Sequence, residues 1–298
     1  MVAAVKEMKW MILGGEGQLG RAMNLKLEMD HVEFISLSHS QFDITSHDDV
    51  EKWFKRESPD VVVNAAAWTN VDSAESNEEN ALLMNSYGPK LLAEACYKSG
   101  SRLVQISTDY VFSGTSVLPW TETADISPVS AYGRTKAAGE LQVLDIYPGG
   151  SFIVRTAWLY SPWGKNFVKT MLRIALNESR NIEVVNDQIG QPTSAFDLSM
   201  QIQTLVNSDL PPGIYHGTNS GQASWFDFAR EIFDLIGEDQ ERVIGVDSEA
   251  VPRLAKRPPY SVLGHDQWVS EGIRPMRNWR EALKDALPKI LHTIKQGE

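Results

Sequence analysis

The chain has 298 residues, 42% of them hydrophobic, which is enough to bury one large core or two closely packed ones. Its net charge of -11, without any basic run, argues against a nucleic-acid partner. Because Cys96 is the only cysteine, no 18 apolar residues run together and residues 1–9 lack a signal-length apolar stretch, we expect a cytoplasmic protein without a membrane partner.

Short apolar runs alternate with amphipathic segments through the first half of the chain, which is the pattern of βαβ units. The predicted strands are 10–13, 32–37, 61–64, 102–107 and 152–155. The predicted helices are 18–29, 48–56, 87–98, 132–144, 166–177, 195–207, 225–236 and 279–294. The alternation becomes irregular after about residue 160.

This order predicts an α/β fold: a doubly wound parallel sheet of the Rossmann type, followed by a smaller mixed α/β substrate-binding region at the C-terminus. Residues 1–160 are expected to form the dinucleotide-binding domain. Residues 161–298 are expected to form mainly the substrate-binding region, with part of 185–215 returning to the first domain.

A glycine motif, G-x-x-G-x-x-G, is formed by Gly14, Gly17 and Gly20 directly between the first predicted strand and the first helix. Glycine at these positions permits a tight turn and lets the backbone approach a pyrophosphate that faces the helix N-terminus. The alternative is a glycine turn without a ligand. We predict a dinucleotide site that includes Gln18 and Leu19 of the same loop.

The choice between NADPH and NADH depends on the end of the second strand, where an acidic residue would bind the ribose 2′-hydroxyl of NAD. The chain has Ser38 and His39 there, which could accommodate a 2′-phosphate, so NADPH is favoured and NADH remains possible. His39 could equally be an exposed loop residue. Asp43, beside Ile44, could bind the adenine amine or stabilise a turn.

Tyr132 and Lys136 indicate a reaction centre, because their spacing places them on one helix face. There the ammonium of Lys136 could lower the pKa of the Tyr132 phenol. Thr108 lies upstream, where a strand ends. Thr108 could polarise a ketone oxygen, Tyr132 could protonate it as hydride arrives, and Lys136 could hold the nicotinamide ribose. The alternatives are a solvated helix face and a capping hydroxyl.

Seven sequence blocks extend this pattern over most of the chain: 17–20, 63–75, 107–112, 132–136, 155–160, 187–193 and 257–263. Together they resemble the extended short-chain dehydrogenase/reductase superfamily and, within it, the dTDP-4-dehydrorhamnose reductase family. The resemblance implies NADPH-dependent reduction of a dTDP-linked 4-dehydro-6-deoxy-L-hexose (dTDP-4-dehydro-L-rhamnose to dTDP-L-rhamnose). It implies a monomer or a homodimer, and we predict no metal because no matching acidic cluster is found.

The resemblance also implies roles for residues outside the reaction centre. Small side chains would line the cofactor at Ala65, Ala66 and Ala67, and Asn85 would support Lys136 through water. The residues implied to contact the substrate, besides Thr108 and Tyr132, are Thr69, Val71, Tyr110 and Trp158 around the sugar and Asn166 near the diphosphate. Trp158 could instead be an ordinary core aromatic.

The same fold also occurs in proteins with other functions. A sugar-nucleotide dehydratase needs an Asp-Glu pair after the threonine, whereas Asp109 is followed here by Tyr110. A sugar-nucleotide 4-epimerase, another ketosugar reductase, and a non-catalytic regulatory subunit of reductase fold remain alternatives.

Overall fold

The computed structural model describes residues 8–296. The outermost ends of the two predicted domains, 1–7 and 297–298, lie outside these residues, as does most of the segment on which the signal-peptide expectation rests.

The described chain alternates strands and helices from its beginning. Its strands are β1 (Trp10–Leu13), β2 (Phe34–Leu37), β3 (Val61–Asn64), β4 (Arg102–Thr108), β5 (Ser151–Thr156), β6 (Leu159–Tyr160), β7 (Ile182–Val185), β8 (Ile189–Gly190), β9 (Thr193–Ser194), β10 (Gly213–His216), β11 (Ala223–Ser224) and β12 (Val243–Val246). Its α-helices are α1 (Gln18–Met29), α2 (His47–Glu57), α3 (Val71–Ser76), α4 (Glu78–Leu82), α5 (Gly88–Ser99), α6 (Ala131–Ile146), α7 (Phe167–Asn177), α8 (Ala195–Asn207), α9 (Trp225–Leu235), α10 (Asp266–Ser270) and α11 (Trp279–Lys295). A π-helical turn, Leu83–Tyr87, joins α4 to α5, and 3-10 turns occur at Asp109–Val111, Gln240–Arg242 and Ser248–Ala250.

The central sheet has six parallel strands in the order β2-β1-β3-β4-β5-β10. Val61, Val62 and Val63 of β3 are fully buried, as expected for a strand whose two faces are both covered by helices. The doubly wound α/β fold is therefore confirmed. The strand order reverses between β1 and β3, the position at which such sheets bind ligands.

Successive residues of β1 point into two different cores, because side chains alternate along a strand. Trp10 and Ile12 pack with residues of α1 and α8 on one face. Met11 and Leu13 pack with residues of α2 and α5 on the other. The period-two pattern of this strand thus fixes which helices cover each face of the sheet.

A separate core holds the C-terminal region together. It is formed by residues of α7, α9 and α11, with Phe228, Phe233 and Trp279 completely buried, and by the parallel pair β7 and β12. Helix α8 and strand β10 do not join it, because Leu198 and Tyr215 pack in the first core and β10 extends the central sheet. We propose that these two elements are the segment through which the substrate-binding region returns to the first domain.

A buried ion pair connects the sheet to helix α6. Arg155 of β5 donates from Nη2 to Oε2 of Glu140 at 2.7 Å and from Nε to Oε1 at 3.0 Å. Both side chains are 2% exposed. Helix α6 carries two of the predicted catalytic residues, Tyr132 and Lys136, so this pair helps to fix their position relative to β4 and β5.

Replacing Glu140 with alanine should lower the free energy of unfolding by about 3–5 kcal/mol, because the Arg155 charge would stay buried without its partner. Urea unfolding followed by circular dichroism measures the loss. Glu78→Ala is the matched control, because Glu78 accepts two hydrogen bonds from Arg134, which lies in α6 like Glu140. This second pair lies at the surface, where an ion pair contributes about 0–1 kcal/mol. Equal losses in the two variants would contradict the interpretation.

Candidate active site

The glycine loop and the end of β3 approach each other closely at the point where the strand order reverses. Gly14 has a φ of 74°, and a Cβ there would lie 2.8 Å from the Ala66 nitrogen and 2.9 Å from the Ala65 carbonyl carbon. A Cβ on Gly20 would lie 2.2 Å from the Gly14 oxygen. Helix α1 begins after Gly17 without a side-chain cap. Its first N–H groups therefore suit a pyrophosphate, and the cradle fits a dinucleotide.

The residues after β2 are held in local turns. The Ser38 hydroxyl hydrogen-bonds with the Ser40 hydroxyl at 2.9 Å and with Oε1 of Gln41 at 3.0 Å. Oδ1 of Asp43 accepts from the backbone nitrogen and the hydroxyl of Thr45, at 2.9 and 2.7 Å, so Asp43 stabilises a turn, and its contact with adenine stays a prediction. The neighbouring predicted residues differ: His39 is exposed, whereas Ile44 is buried against Gly88.

Thr108 and Tyr132 come together at the carboxyl end of β4. Thr108 ends that strand, and Tyr132 lies in the first turn of α6, whose N-cap is Ser130. The Thr108 hydroxyl donates to Oδ1 of Asp109 at 3.0 Å and accepts from the Tyr110 nitrogen at 3.2 Å. Burial raises the pKa of Asp109 to about 6. To polarise a ketone, the Thr108 hydroxyl must rotate away from this carboxyl group.

The expected lowering of the Tyr132 pKa is wrong. Burial raises the pKa of Tyr132 to about 12, and a hydrogen bond with Thr108 opposes the rise only in part. The ammonium of Lys136 donates to the Ile106 carbonyl oxygen at 2.6 Å, and burial lowers the pKa of Lys136 to about 8. The helical spacing correctly places both side chains at one site, but desolvation dominates their titration.

Asn85 lies in the π-helical turn, an irregularity that is frequent at functional sites. Its side chain exchanges two hydrogen bonds with the backbone of Trp68, at 2.8 and 3.1 Å, and donates to the hydroxyl of Thr135 at 3.0 Å. Thr135 directly precedes Lys136. In the structure Asn85 thus joins the loop after β3 to the helix that carries the lysine.

The residues predicted around the sugar lie in different environments, and one of them, Tyr110, contacts Tyr132. The ring of Tyr110 meets Tyr132 edge-on at a centroid distance of 5.9 Å. Val71 begins α3, and Thr69 is exposed just before it. Trp158 stacks on Trp225 at 3.6 Å and has a φ of 45°. A left-handed conformation at a bulky residue costs about 1–3 kcal/mol and tends to occur at functional sites.

Gln18 and Asn166, predicted separately, are direct partners. The Asn166 amide donates to Oε1 of Gln18 at 2.9 Å and to the Ser161 carbonyl at 2.8 Å, while its oxygen caps α7 by accepting from the Lys169 nitrogen at 3.0 Å. Oε1 of Gln18 also accepts from the Ser161 hydroxyl at 3.1 Å. These bonds tie the glycine loop to the start of the predicted substrate-binding region.

An ion pair between Asp72 and Arg257 is the main feature of the site that the sequence did not predict. It lies next to Val71 and Tyr110, although the two residues are 185 positions apart in the chain. The signals in the sequence were the places of Asp72 in the block 63–75 and of Arg257 in the block 257–263.

Two general properties of residues 8–296 complete the description. None of their helices has the length and apolar character needed to cross a bilayer. Nor do they contain a group of three or more His, Cys, Asp or Glu side chains placed to bind a metal ion.

Comparison with known proteins places this geometry in a family. The family model described as "RmlD substrate binding domain" matches residues 8–292. A dTDP-4-keto-6-deoxy-D-glucose reductase of Streptomyces niveus is 44% identical, with 95% of this chain and 97% of the relative covered. A dTDP-4-dehydrorhamnose reductase of Streptomyces griseus is 42% identical over 95% and 94%. The crystal structure of the Bacillus anthracis dTDP-4-dehydrorhamnose reductase with NADP has a TM-score of 0.91 at 36% identity, covering 95% and 99%.

Replacing Gly20 with alanine should weaken dinucleotide binding about tenfold or more, because the new Cβ would push the start of α1 away from Gly14. Fluorescence titration with NADPH measures the affinity. Gly149→Ala is the control, since a Cβ there meets no atom within 4 Å. An unchanged affinity in the Gly20 variant would show that the close contact is not needed for the site.

Proposed function

The chain belongs to the RmlD substrate binding domain family, and from this membership we propose that it reduces the 4-keto group of a dTDP-linked 4-dehydro-6-deoxyhexose with NADPH. The proposed reaction converts dTDP-4-dehydro-L-rhamnose to dTDP-L-rhamnose. The observation that carries the proposal is the meeting of Thr108 and Tyr132 beside a glycine cradle suited to a dinucleotide.

The cofactor would be held by the chain's own backbone and small side chains. Gly14, Gly17 and Gly20 open the pyrophosphate cradle at the N-terminus of α1, and residues 65–67 leave room along the end of β3. NADPH supplies the hydride when bound. Lys136 would donate to the nicotinamide ribose with its remaining N–H groups while keeping its bond to Ile106.

Tyr132 is the proposed proton donor. With a pKa near 12 its phenol is protonated at neutral pH, so it can give a proton to the ketone oxygen as negative charge develops there. Thr108 would stabilise the resulting phenolate or the alkoxide through its hydroxyl. A dehydratase role is disfavoured, because Asp109 is buried beneath Thr108 and Tyr110 follows it.

The substrate is proposed to lie between the two regions of the chain. Tyr110, Val71, Thr69 and Trp158 would surround the sugar. Asn166 is the N-cap of α7. Its proposed contribution to diphosphate binding would therefore come through the N-terminus of that helix.

Replacing Tyr132 with phenylalanine should reduce turnover about 100-fold or more while leaving NADPH affinity nearly unchanged, because only the proton donor is removed. The assay follows NADPH oxidation with a dTDP-4-keto-6-deoxyhexose, and NMR of the product gives its configuration at C4. Tyr97→Phe, at an exposed ring, is the control. Failure of the wild-type protein to oxidise NADPH with this substrate would overturn the proposed function.

The pH dependence of kcat/KM should reflect Lys136. Since burial lowers the pKa of Lys136 to about 8, the ammonium form predominates below that pH and is lost as the pH rises through it. The rate of reduction should therefore be level near neutral pH and fall above about pH 8. Lys136→Met should be slow throughout and should lack this fall. A rate that rises between pH 7 and 9 would contradict the assignment.

A further inference from the structure

One side chain of the glycine loop contacts the segment that leads into α7. Gln18 is the first residue of α1, and its amide oxygen accepts from the Asn166 amide at 2.9 Å and from the Ser161 hydroxyl at 3.1 Å. Its amide nitrogen donates to the Leu159 carbonyl oxygen at 3.4 Å. We call these three hydrogen bonds the Gln18 bridge. All its partners lie within residues 159–166.

The bridge fixes the orientation of the Gln18 amide. A carbonyl oxygen only accepts hydrogen bonds, so the amide nitrogen must face Leu159, and the amide oxygen then faces the donors of Asn166 and Ser161. The stem of the side chain is in contact as well, because a Cβ on Gly164 would lie 3.4 Å from Cγ of Gln18. Both the stem and the amide of Gln18 are therefore held by the same segment.

Asn166 is fully engaged at the other end of the bridge. Its amide nitrogen has two hydrogens, which are donated to Gln18 and to the Ser161 carbonyl oxygen at 2.8 Å. Its oxygen accepts from the Lys169 nitrogen at 3.0 Å. A diphosphate, which only accepts, could not gain an N–H of this side chain without breaking a bond already present. Asn166 therefore acts on a diphosphate by setting where the first backbone N–H groups of α7 lie.

The segment that carries these partners is braced against two helices. The Pro162 carbonyl oxygen accepts from the Lys169 ammonium of α7 at 3.0 Å and from the Thr293 hydroxyl of α11 at 3.2 Å. Ser161 is buried at 2% exposure and Lys169 at 3%. The turn before α7 is thus packed as one unit with that helix, so a restraint on Gln18 acts on the start of α7.

The bridge joins the two helix N-termini to which the proposed function assigns phosphate groups. The N-terminus of α1 is assigned to the pyrophosphate of the dinucleotide, and that of α7 to the diphosphate of the sugar nucleotide. A phosphate group at one N-terminus restrains one end of the bridge and so favours the arrangement in which both ends are held. The second ligand then meets an arrangement that is already formed, which is the condition for positive cooperativity.

We propose that Gln18 is a positioning residue that couples the two ligands, so that the dinucleotide and the dTDP-linked sugar each raise the affinity of the chain for the other. This inference rests on the proposed function and adds cooperative binding to it. The Gln18 side chain acts in this arrangement through Asn166 and the start of α7, not through the reacting atoms.

The coupling factor is the Kd for dTDP without NADP+ divided by the Kd with saturating NADP+, both measured by calorimetry. We expect a factor of about five or more in the wild-type protein and of less than about two in Gln18→Met, which keeps the stem but has no amide. Because the factor is a ratio within one variant, a general weakening of either site does not change it. A wild-type factor near one would overturn the proposal.

Arg21→Met is the matched control, because Arg21 lies in the same helix but its Nε donates within the loop, to the Glu16 carbonyl oxygen. It should keep the wild-type factor. Asn166→Asp tests the bridge from its other end, since a carboxylate can still cap α7 by accepting from the Lys169 nitrogen but has no N–H for Gln18. Its factor should also fall below about two. A full factor in either bridge variant, or an equal loss in the control, would overturn the proposal.

The outcomes separate this inference from the proposed function. If the wild-type protein does not oxidise NADPH with the dTDP-ketosugar, the proposed function fails. If it reduces the ketosugar but NADP+ and dTDP bind independently, only the present inference fails. Linkage gives an internal check, because dTDP must raise the affinity for NADP+ by the same factor.

Discussion

The close contact between the glycine loop and the end of β3 is the constraint on which the rest of the site depends. Gly14 adopts a left-handed conformation against Ala65 and Ala66, and Gly20 packs on the Gly14 carbonyl. This places the N-terminus of α1 directly beside the end of β3, where the sheet changes direction. A dinucleotide held in that cradle would reach the strand ends that lie beside it. Thr108 and Tyr132 lie one strand further along, and their proposed roles in a reduction require a cofactor held in this cradle.

Burial, more than pairing of charges, sets the electrostatics of the reaction centre. It raises the pKa of Tyr132 to about 12 and that of Asp109 to about 6, and it lowers that of Lys136 to about 8. Each group is thereby shifted towards its neutral form. A neutral phenol suits a proton donor in a reduction, because the proton must remain on the oxygen until the hydride arrives. The desolvation that disfavours the phenolate thus supports the role of proton donor that we propose for Tyr132.

The parts of the molecule that the sequence predicted are those encoded by neighbouring residues. The strand, glycine turn and helix of the first unit lie within 20 positions, and β1, β3 and α1 have the predicted bounds. The pKa of Tyr132 was predicted wrongly because the helix spacing says nothing about the Ile106 carbonyl of β4 or about desolvation. The left-handed backbone of Trp158 was not predictable either. It depends on contacts with Trp225 and Gly190, which come from distant segments.

The sugar side of the site is assembled from pieces far apart in the chain, and their connections explain why the two regions pack as they do. Gln18 ties the cofactor loop to Asn166 at the start of α7. Asp72 ties α3 to Arg257, which lies near the C-terminal end of the chain. Each bridge therefore joins one residue of the predicted dinucleotide-binding domain to one residue of the predicted substrate-binding region. Neither region carries both halves of a bridge, so the two bridges form only when the regions are packed together. Under the proposed function, sugar recognition would thus depend on both regions, whereas the proposed proton donor, Tyr132, lies in the first region alone.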